Sequence, residues 1–336
     1  MSLGSAAHGA FSTLFSNLFI SLPTPSANLK GQTYIVSGSN TGLGFEASRH
    51  LSRLGAEKLI MAVRSLPKGE TARREILEST GREPDSIEVW ELDMSSYDSV
   101  KSFAARVTST LTRVDGVLAN AGIMVDVFRM SEDNESTITV NVVSTFLLFL
   151  LLLPKFRDSA DKFNIAPRFT IVNSALHYMA SLKELDPERV PGSIFERLNN
   201  KELADMSARY NVSKLLVVYA VRELAERLKG STSIVLNAPN PSYCKSALAL
   251  GTAQGRSAGG KAFEKMLARS TEEGSRALVH GVVSGPETNG QYLTNCHVQT
   301  PSSSVTCPKG VRIQKKFVDE LVAKLVEIAP EAASYI

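Results

Sequence analysis

Cysteine is scarce in this 336-residue chain. There are three, at 244, 296 and 307. The odd count argues against a disulfide framework, and the spacings fit no metal pattern. Reduced thiols and an intracellular, cytoplasmic setting are the expectation. The five histidines are dispersed and no His-Glu-x-x-His occurs, so no metal is expected. Charge of one sign is also missing. Basic and acidic residues number 37 and 34, and the densest basic cluster is "IQKK" at 313–316, which disfavours nucleic acid as a partner. No Lys or Arg precedes Lys30, so the positive region of a secretory signal is lacking. No apolar run reaches the ~20 residues that span a bilayer. "FSTLFSNLFISL" (11–22) and "FLLFLLLLP" (146–154) are both shorter. The second reads as a buried helix. The first reads as a helix packed on the domain, with a helix lying on a membrane surface as the alternative. No linker rich in Gly, Pro or Ser divides the chain. The sequons at 134–136 and 211–213 carry little weight.

What is present is alternation. "TYIVSG" (33–38), "KLIMAV" (58–63), "IEVWEL" (87–92), "DGVLAN" (115–120), "RFTIVNSA" (168–175) and "TSIVLNAP" (232–239) read as six strands, with "GQYL" (290–293) a candidate last one. Helical periodicity fills the gaps at 43–56, 67–80, 97–111, 139–153, 208–228 and 270–285, and closes the chain at 315–330. Strand–helix alternation implies a parallel, doubly wound α/β sheet. Strands that are nearly continuous apolar runs fit a sheet covered on both faces. The expectation is an apolar extension over 1–30 and one domain over 31–336. Residues 178–207 and 243–269 resist the scheme. They follow strands five and six, on the side where ligands bind in such sheets, and read as insertions over a substrate pocket.

Three stretches carry chemistry. In "SGSNTGLG" (37–44), Gly38, Gly42 and Gly44 directly follow the first strand and open a helix. Glycines there permit a tight turn and close approach of the backbone to a pyrophosphate, which the helix N-terminus then faces with unpaired N–H groups. At the end of the second strand, "MAVRS" has Arg64 and Ser65 and no acid. A carboxylate there suits a free ribose 2′-hydroxyl, whereas a guanidinium suits a 2′-phosphate. NADP(H) is therefore expected over NAD(H). In "ARYNVSKLL" (208–216), Tyr210 and Lys214 stand four apart, one turn apart on one helix face. The pair alone is as compatible with an ordinary amphipathic helix as with a tuned acid.

The ordered set resolves that ambiguity. "SGSNTGLG", "LDMSS" with Asp93, "ANAG" (119–122), Asn141, Ser174 and "YNVSK" together resemble the short-chain dehydrogenase/reductase family over about residues 31–250. "NPSYCKSAL" and "GPETNGQYL" are similar to segments of its fungal, retinol-dehydrogenase-like reductases. The resemblance implies a Rossmann-like fold. It implies that Gly38, Asn40, Thr41, Gly42, Leu43 and Gly44 cradle the cofactor. Arg64 and Ser65 would meet the 2′-phosphate, and Asp93 and Met94 the adenine. Asn120, Ala121 and Gly122 would lie beside the cofactor, and Pro241, Ser242 and Ser246 against the nicotinamide. Asn141, Ser174, Tyr210 and Lys214 would form the catalytic tetrad, with Tyr210 and Lys214 also touching cofactor. Tyr210 would give a proton while Ser174 bonds the same oxygen. Lys214, together with the nicotinamide's own charge, would lower the phenol's pKa from near ~10, and Asn141 would hold a water.

The pattern departs from the family at Ser37, Asn173 and Ser242. A Cβ at 242, where the family has Gly, restricts the turn. Tyr178, Met179, Phe195 and Leu198 in the first insertion are expected to line an apolar pocket, against the alternative of a structural excursion. The implied function is NADPH-dependent reduction of a ketone, aldehyde or enone on a lipophilic small molecule in fungal secondary metabolism. The rival is a non-redox, cyclase-like catalyst or a small-molecule binding protein on the same fold. A homo-oligomer and peripheral membrane contact stay open.

Overall fold

The computed structural model describes residues 3–189, 191–230, 233–245, 248, 252–253 and 257–335. After the N-terminal helix α1 (Leu3–Phe19), strands and helices alternate: β1 (Thr33–Ser37), α2 (Gly42–Arg53), β2 (Lys58–Val63), α3 (Leu66–Thr80), β3 (Ile87–Glu91), α4 (Tyr97–Thr110) and β4 (Gly116–Ala119). There follow α5 (Ser144–Phe163), β5 (Arg168–Ile171), α6 (Arg209–Arg227), β6 (Val235–Asn240), α7 (Ala258–Leu267), α8 (Thr271–Val283), β7 (Tyr292–Thr294), β8 (His297–Val298) and α9 (Pro308–Ile328). The strands order as β3-β2-β1-β4-β5-β6-β7-β8. All neighbours are parallel except the terminal β7–β8 pair. The order reverses at β1/β4, which opens the crevice where doubly wound sheets bind ligands. This is a Rossmann-like α/β domain.

Alternation along β1 feeds both layers. Ile35 faces a core built with Phe103, Phe146, Phe149, Val212 and Leu216 from α4, α5 and α6. Tyr34 and Val36 face the other, with Ala47, Leu51, Leu278 and Val282 from α2 and α8. Helix α5 continues beyond the expected end at 153, through Pro154 to Phe163. A proline removes one ladder hydrogen bond, but Leu152, Leu153 and Phe156 on either side of it are fully buried. The segment Ser136–Phe163 is apolar and long enough to cross a bilayer, yet 89% of its most apolar window is buried inside the fold. It is a core helix. The last strand lies at 292–294, two residues later than expected, and pairs with a short strand beyond it.

The first insertion packs differently from the sequence expectation, and the N-terminal helix packs on the domain as expected. Within 178–207, Ser193 and Glu196 form a capping box on a short helix, Ile194–Leu198. Arg197 is fully buried and donates to the carbonyls of Glu184 (2.7 Å), Leu185 (3.1 Å) and Gly192. Phe195 and Leu198 do not line a pocket: both are buried in the core, with the Phe195 ring 6.0 Å from Phe317 of α9. Tyr178 does line a cavity of ≈ 480 Å³, with His8, Gln299 and Thr300 under α1, and Met179 is exposed. Helix α1 does pack on the domain, but by its small and polar side. A Cβ on Gly9 would stand 2.7 Å from the Tyr178 Cβ, so only glycine lets the helix come this close. Phe11, Leu14, Phe15, Leu18 and Phe19 point outward.

Candidate active site

The turn after β1 is built on glycine for two separate reasons. Gly38 and Gly42 have φ of 65° and 62°, a region costly for residues with a Cβ. Gly44 is close-packed: a Cβ there would lie 2.4 Å from Asn120 Nδ2 and 2.5 Å from the Gly38 carbonyl oxygen. Asn120 Nδ2 donates to the Ser37 carbonyl (2.9 Å) and the Gly38 carbonyl (3.2 Å). Ser37 Oγ accepts from the backbone N–H groups of Asn120 and Ala121, both at 3.0 Å. The β1 and β4 turns are thereby locked together. Thr41 begins α2 without a side-chain cap, so the first-turn N–H groups keep their capacity for an anion. Asn40, Thr41, Gly42 and Phe45 form one wall of a cleft of ≈ 650 Å³, and Pro67, Lys68 and Thr71 of α3 form the other. Leu43 is half-buried beside it, against the second core.

Arg64 leaves the end of β2 with an exposed side chain, and Ser65 is the N-cap position of α3. Asp93 is committed locally: its Oδ1 accepts from Ser95 N (2.9 Å) and Ser95 Oγ (2.6 Å). Met94 is buried in the core.

Ser174, Tyr210 and Lys214 come together where β5 ends and α6 begins. Ser174 caps the short turn Ala175–Met179, accepting from Leu176 N at 3.2 Å, and its side chain stands near enough to the Tyr210 phenol to favour the phenolate slightly. Lys214 Nζ lies 5.4 Å from the centre of the Tyr210 ring and donates to the Val172 carbonyl at 2.7 Å. Asn173 holds both ends: it accepts from Ser174 N (2.6 Å) and donates to the Lys214 carbonyl (3.2 Å). Burial lifts the Tyr210 phenol well above its ordinary value, with only Ser174 opposing. Burial pulls Lys214 down to about 8. Desolvation dominates both groups before the charge of a bound nicotinamide is counted.

Asn141 sits in a π-helical turn, 139–143, that leads into α5. Its amide donates to the Ile123 carbonyl (2.9 Å) and Ser213 Oγ (3.1 Å), and its Oδ1 accepts from Ile123 N (2.9 Å). Ser213 Oγ in turn donates to the Tyr210 carbonyl at 2.7 Å. Both amide donors are spent, so a water here would be held by an oxygen of Asn141 rather than by its amide N–H groups. Gly122 is packed against this amide, since a Cβ would stand 3.1 Å from Asn141 Oδ1. Pro241 is buried at the end of β6. Ser242 adopts φ 67°, a left-handed conformation costing about 1–2 kcal/mol in a residue with a Cβ. Asn240 Oδ1 accepts from its N–H at 3.0 Å. Ser246 lies outside the described residues.

Two supports were not legible in the sequence. His177 is fully buried. Its Nδ1 donates to the Ser174 carbonyl at 2.8 Å, and its Nε2 accepts from Ser302 N at 3.1 Å. This pairing defines the neutral tautomer, and burial holds the ring's pKa down at about 4. Arg209, next to Tyr210, is also fully buried, 2.9 Å from Glu184 and 3.7 Å from Glu135. Glu135 caps the start of the Asn141 helix by accepting from Thr137 N and Ile138 N. One guanidinium thus joins the helix of Asn141, the helix of Tyr210 and the insertion.

Comparisons with known proteins agree with this geometry. The short chain dehydrogenase family model matches residues 32–165. The short chain dehydrogenase/reductase dmxR8 of Cryptosporiopsis sp. is 45% identical over 327 residues, covering 96% of this chain and 98% of that protein. The short-chain dehydrogenase anuD of Penicillium roqueforti is 38% identical over 98% of this chain and 86% of its own length. A short chain dehydrogenase from Escherichia coli CFT073, solved in complex with NADPH, superposes with TM-score 0.59 at 22% identity over 81% of this chain and 99% of that one. The chain belongs to the short-chain dehydrogenase/reductase family and is an oxidoreductase.

Proposed function

We propose that the protein is an NADPH-dependent reductase of a ketone, aldehyde or enone carbonyl on a lipophilic small molecule, in fungal secondary metabolism. The observation that carries this reading is the buried Ser174–Tyr210–Lys214 cluster beyond the carboxyl end of β5, in the same parallel sheet whose β1 ends in the glycine turn. The residues present fit a dinucleotide. The cleft at the uncapped start of α2 is lined by Gly42, where a Cβ would meet nothing within 4 Å. Exposed Arg64 follows β2 with no acid beside it in "MAVRS", which suits a 2′-phosphate. Cofactor choice in this direction is also supported by the structural relatives solved with NADPH and with NADP.

When bound, the nicotinamide supplies a hydride. This chain's residues do the rest. Tyr210, kept protonated by burial, donates its proton to the oxygen of the carbonyl being reduced. Ser174 donates a hydrogen bond to that oxygen as negative charge develops there. Lys214 would supply positive charge one helical turn away and bond the nicotinamide ribose hydroxyls with the Nζ donors not spent on the Val172 carbonyl. Asn173 fixes the spacing between Ser174 and α6. Gly38, Asn40, Thr41, Gly42, Leu43 and Gly44 would meet the pyrophosphate side, the chain at Asp93 and Met94 the adenine side, and Asn120, Ala121 and Gly122 the middle. Pro241, Ser242 and Ser246 would stand at the nicotinamide.

Calorimetric titration with NADPH and then NADH tests the cofactor, with NADPH expected to bind far more tightly. Tyr210→Phe should cut carbonyl reduction by roughly 10²–10⁴ and leave NADPH affinity intact. Turnover equal to the unmodified enzyme would remove Tyr210 from proton transfer.

A further inference from the structure

Resting on that reductase reading, we propose that Asn17, on the inward side of α1, is a positioning residue for the active site. Its carboxamide spends three hydrogen bonds on the nicotinamide-side turn and the neck of the loop that follows. Asn17 Nδ2 donates to the Tyr243 carbonyl at 2.7 Å and to the Leu267 carbonyl at 2.8 Å. Its Oδ1 accepts from Ser242 Oγ at 2.6 Å. Tyr243 opens the loop beyond β6, and Leu267 ends α7 at the loop's far side. One side chain therefore closes the neck. The same neck is bridged by backbone bonds from Lys245 N to the Arg269 carbonyl (3.0 Å) and from Arg269 N to the Tyr243 carbonyl (2.9 Å). Arg269 then donates to the carbonyls of Ser16 (2.6 Å) and Ile20 (2.7 Å), at the end of α1.

This arrangement gives a physical account of Ser242. Where the family has glycine, this chain has a serine held in the left-handed region. The hydroxyl that brings the unwanted Cβ also brings the bond to Asn17. Strain at the turn and the clamp from α1 are thus two halves of one device. It places the turn, and with it the nicotinamide wall and the substrate loop, under the control of residues some 225 positions earlier.

The test uses the full-length protein. Asn17→Ala removes the clamp. Asn17→Asp keeps the acceptor for Ser242 and deletes both amide donors. Ser242→Gly in the Asn17→Ala background relieves the strain. Losing hydrogen bonds of this kind should weaken NADPH binding and raise KM about tenfold, with kcat changed less than threefold. The double variant should recover part of the loss. Hydrogen exchange at residues 241–245 should quicken in both Asn17 variants. Exchange and NADPH binding equal to the unmodified protein would overturn the role of Asn17. Unmodified protein that binds no NADPH, with exchange still quickened by Asn17→Ala, would instead sink the cofactor reading and leave the clamp standing.

A different observation carries a second inference: the outward side of α1 docks on a lipid surface. The helix is oriented with its polar side inward, where Ser16 and Asn17 are tied to the body of the protein. Phe11, Phe15 and Phe19 form a ladder outside, with ring centres 6.1 and 5.2 Å apart, flanked by Leu14 and Leu18. Residues 3–19 include no Asp, Glu, Lys or Arg. Phenylalanines of roughly 200 Å² each, 45–73% exposed, with the two leucines, give an outward patch of roughly 500–600 Å². That falls short of the ~800 Å² per partner of a stable dimer and suits shallow insertion among acyl chains. Vesicles of zwitterionic phosphatidylcholine should sediment the full-length protein. They should release the Phe11→Ser/Phe15→Ser/Phe19→Ser variant, whose NADPH affinity should be unchanged. Absence of sedimentation overturns the proposal. So does a dimer in solution that the triple variant dissolves, which would assign the face to a second copy.

Discussion

At the scale of single residues, burial outweighs every other influence on the charge of the catalytic pair. Tyr210 and Lys214 are 7% and 6% exposed, and desolvation drives their pKa values toward the neutral form of each. For the phenol this is useful, because a proton donor must still hold its proton. For Lys214 it sets a limit: its ammonium form is present below about 8 and lost as pH rises through that value. The rate of carbonyl reduction should be flat from pH 6 to 7.5 and fall above 8, measured as kcat against pH. In Lys214→Arg that limb should vanish, since a guanidinium stays charged. His177 predicts a stability effect. Its folded pKa of about 4 lies below the ordinary 6.5, so the unfolded chain binds the extra proton between those values. Stability falls as pH drops from 6.5 toward 4, by up to about 3 kcal/mol. Urea unfolding at pH 7 and pH 4.5 should show this slope, and His177→Gln should flatten it. An unchanged slope would mean that another group titrates there.

At the scale of elements, the insertion 178–207 is the instructive case. Its apolar residues suggested a substrate pocket from their position after β5. The structure turns Phe195 and Leu198 toward α9, because Arg197 gathers three carbonyls of the segment and fixes its fold from inside. No pattern in the sequence marks an arginine as a staple for backbone carbonyls more than a hundred residues before the helix it helps to cover. Arg197→Met should cost about 2–4 kcal/mol, from carbonyls left without charged donors. Denaturant titration reads that loss, and a change below ~0.5 kcal/mol would show the staple to be dispensable. Helix α1 teaches the converse. Its composition announced a helix, but the side facing the protein is chosen by Gly9 against Tyr178 and by the Asn17 bonds, not by the phenylalanines.

At the scale of the whole molecule, ligand binding and folding are linked. The glycine turn after β1, the Asn120 turn after β4 and the Ser174 turn after β5 belong to one sheet, and a dinucleotide lying across them would bind only the folded state. At a hundredfold excess over Kd such a ligand adds about 2.7 kcal/mol. The melting temperature should therefore rise about 3–6 °C with NADPH, and less with NADH at equal concentration. Equal shifts would remove Arg64 from recognition of the 2′-phosphate.

By itself the sequence determined whatever is local. Apolar runs of five or six residues make covered strands, three glycines make the turn after β1, and Tyr210 and Lys214 share a helix face because an α-helix repeats every 3.6 residues. These follow from backbone geometry and side-chain periodicity within a few turns of chain. Only the tertiary structure decided what depends on distant neighbours. It set the burial that moves Tyr210 and Lys214 in the direction of neutrality, and the His177 link from Ser174 to Ser302. It also joined Arg209 to Glu135 and Glu184, and seated Asn17 on the turn of Ser242. Desolvation and long-range hydrogen bonds are properties of packing, and packing brings together residues that their order in the chain keeps apart.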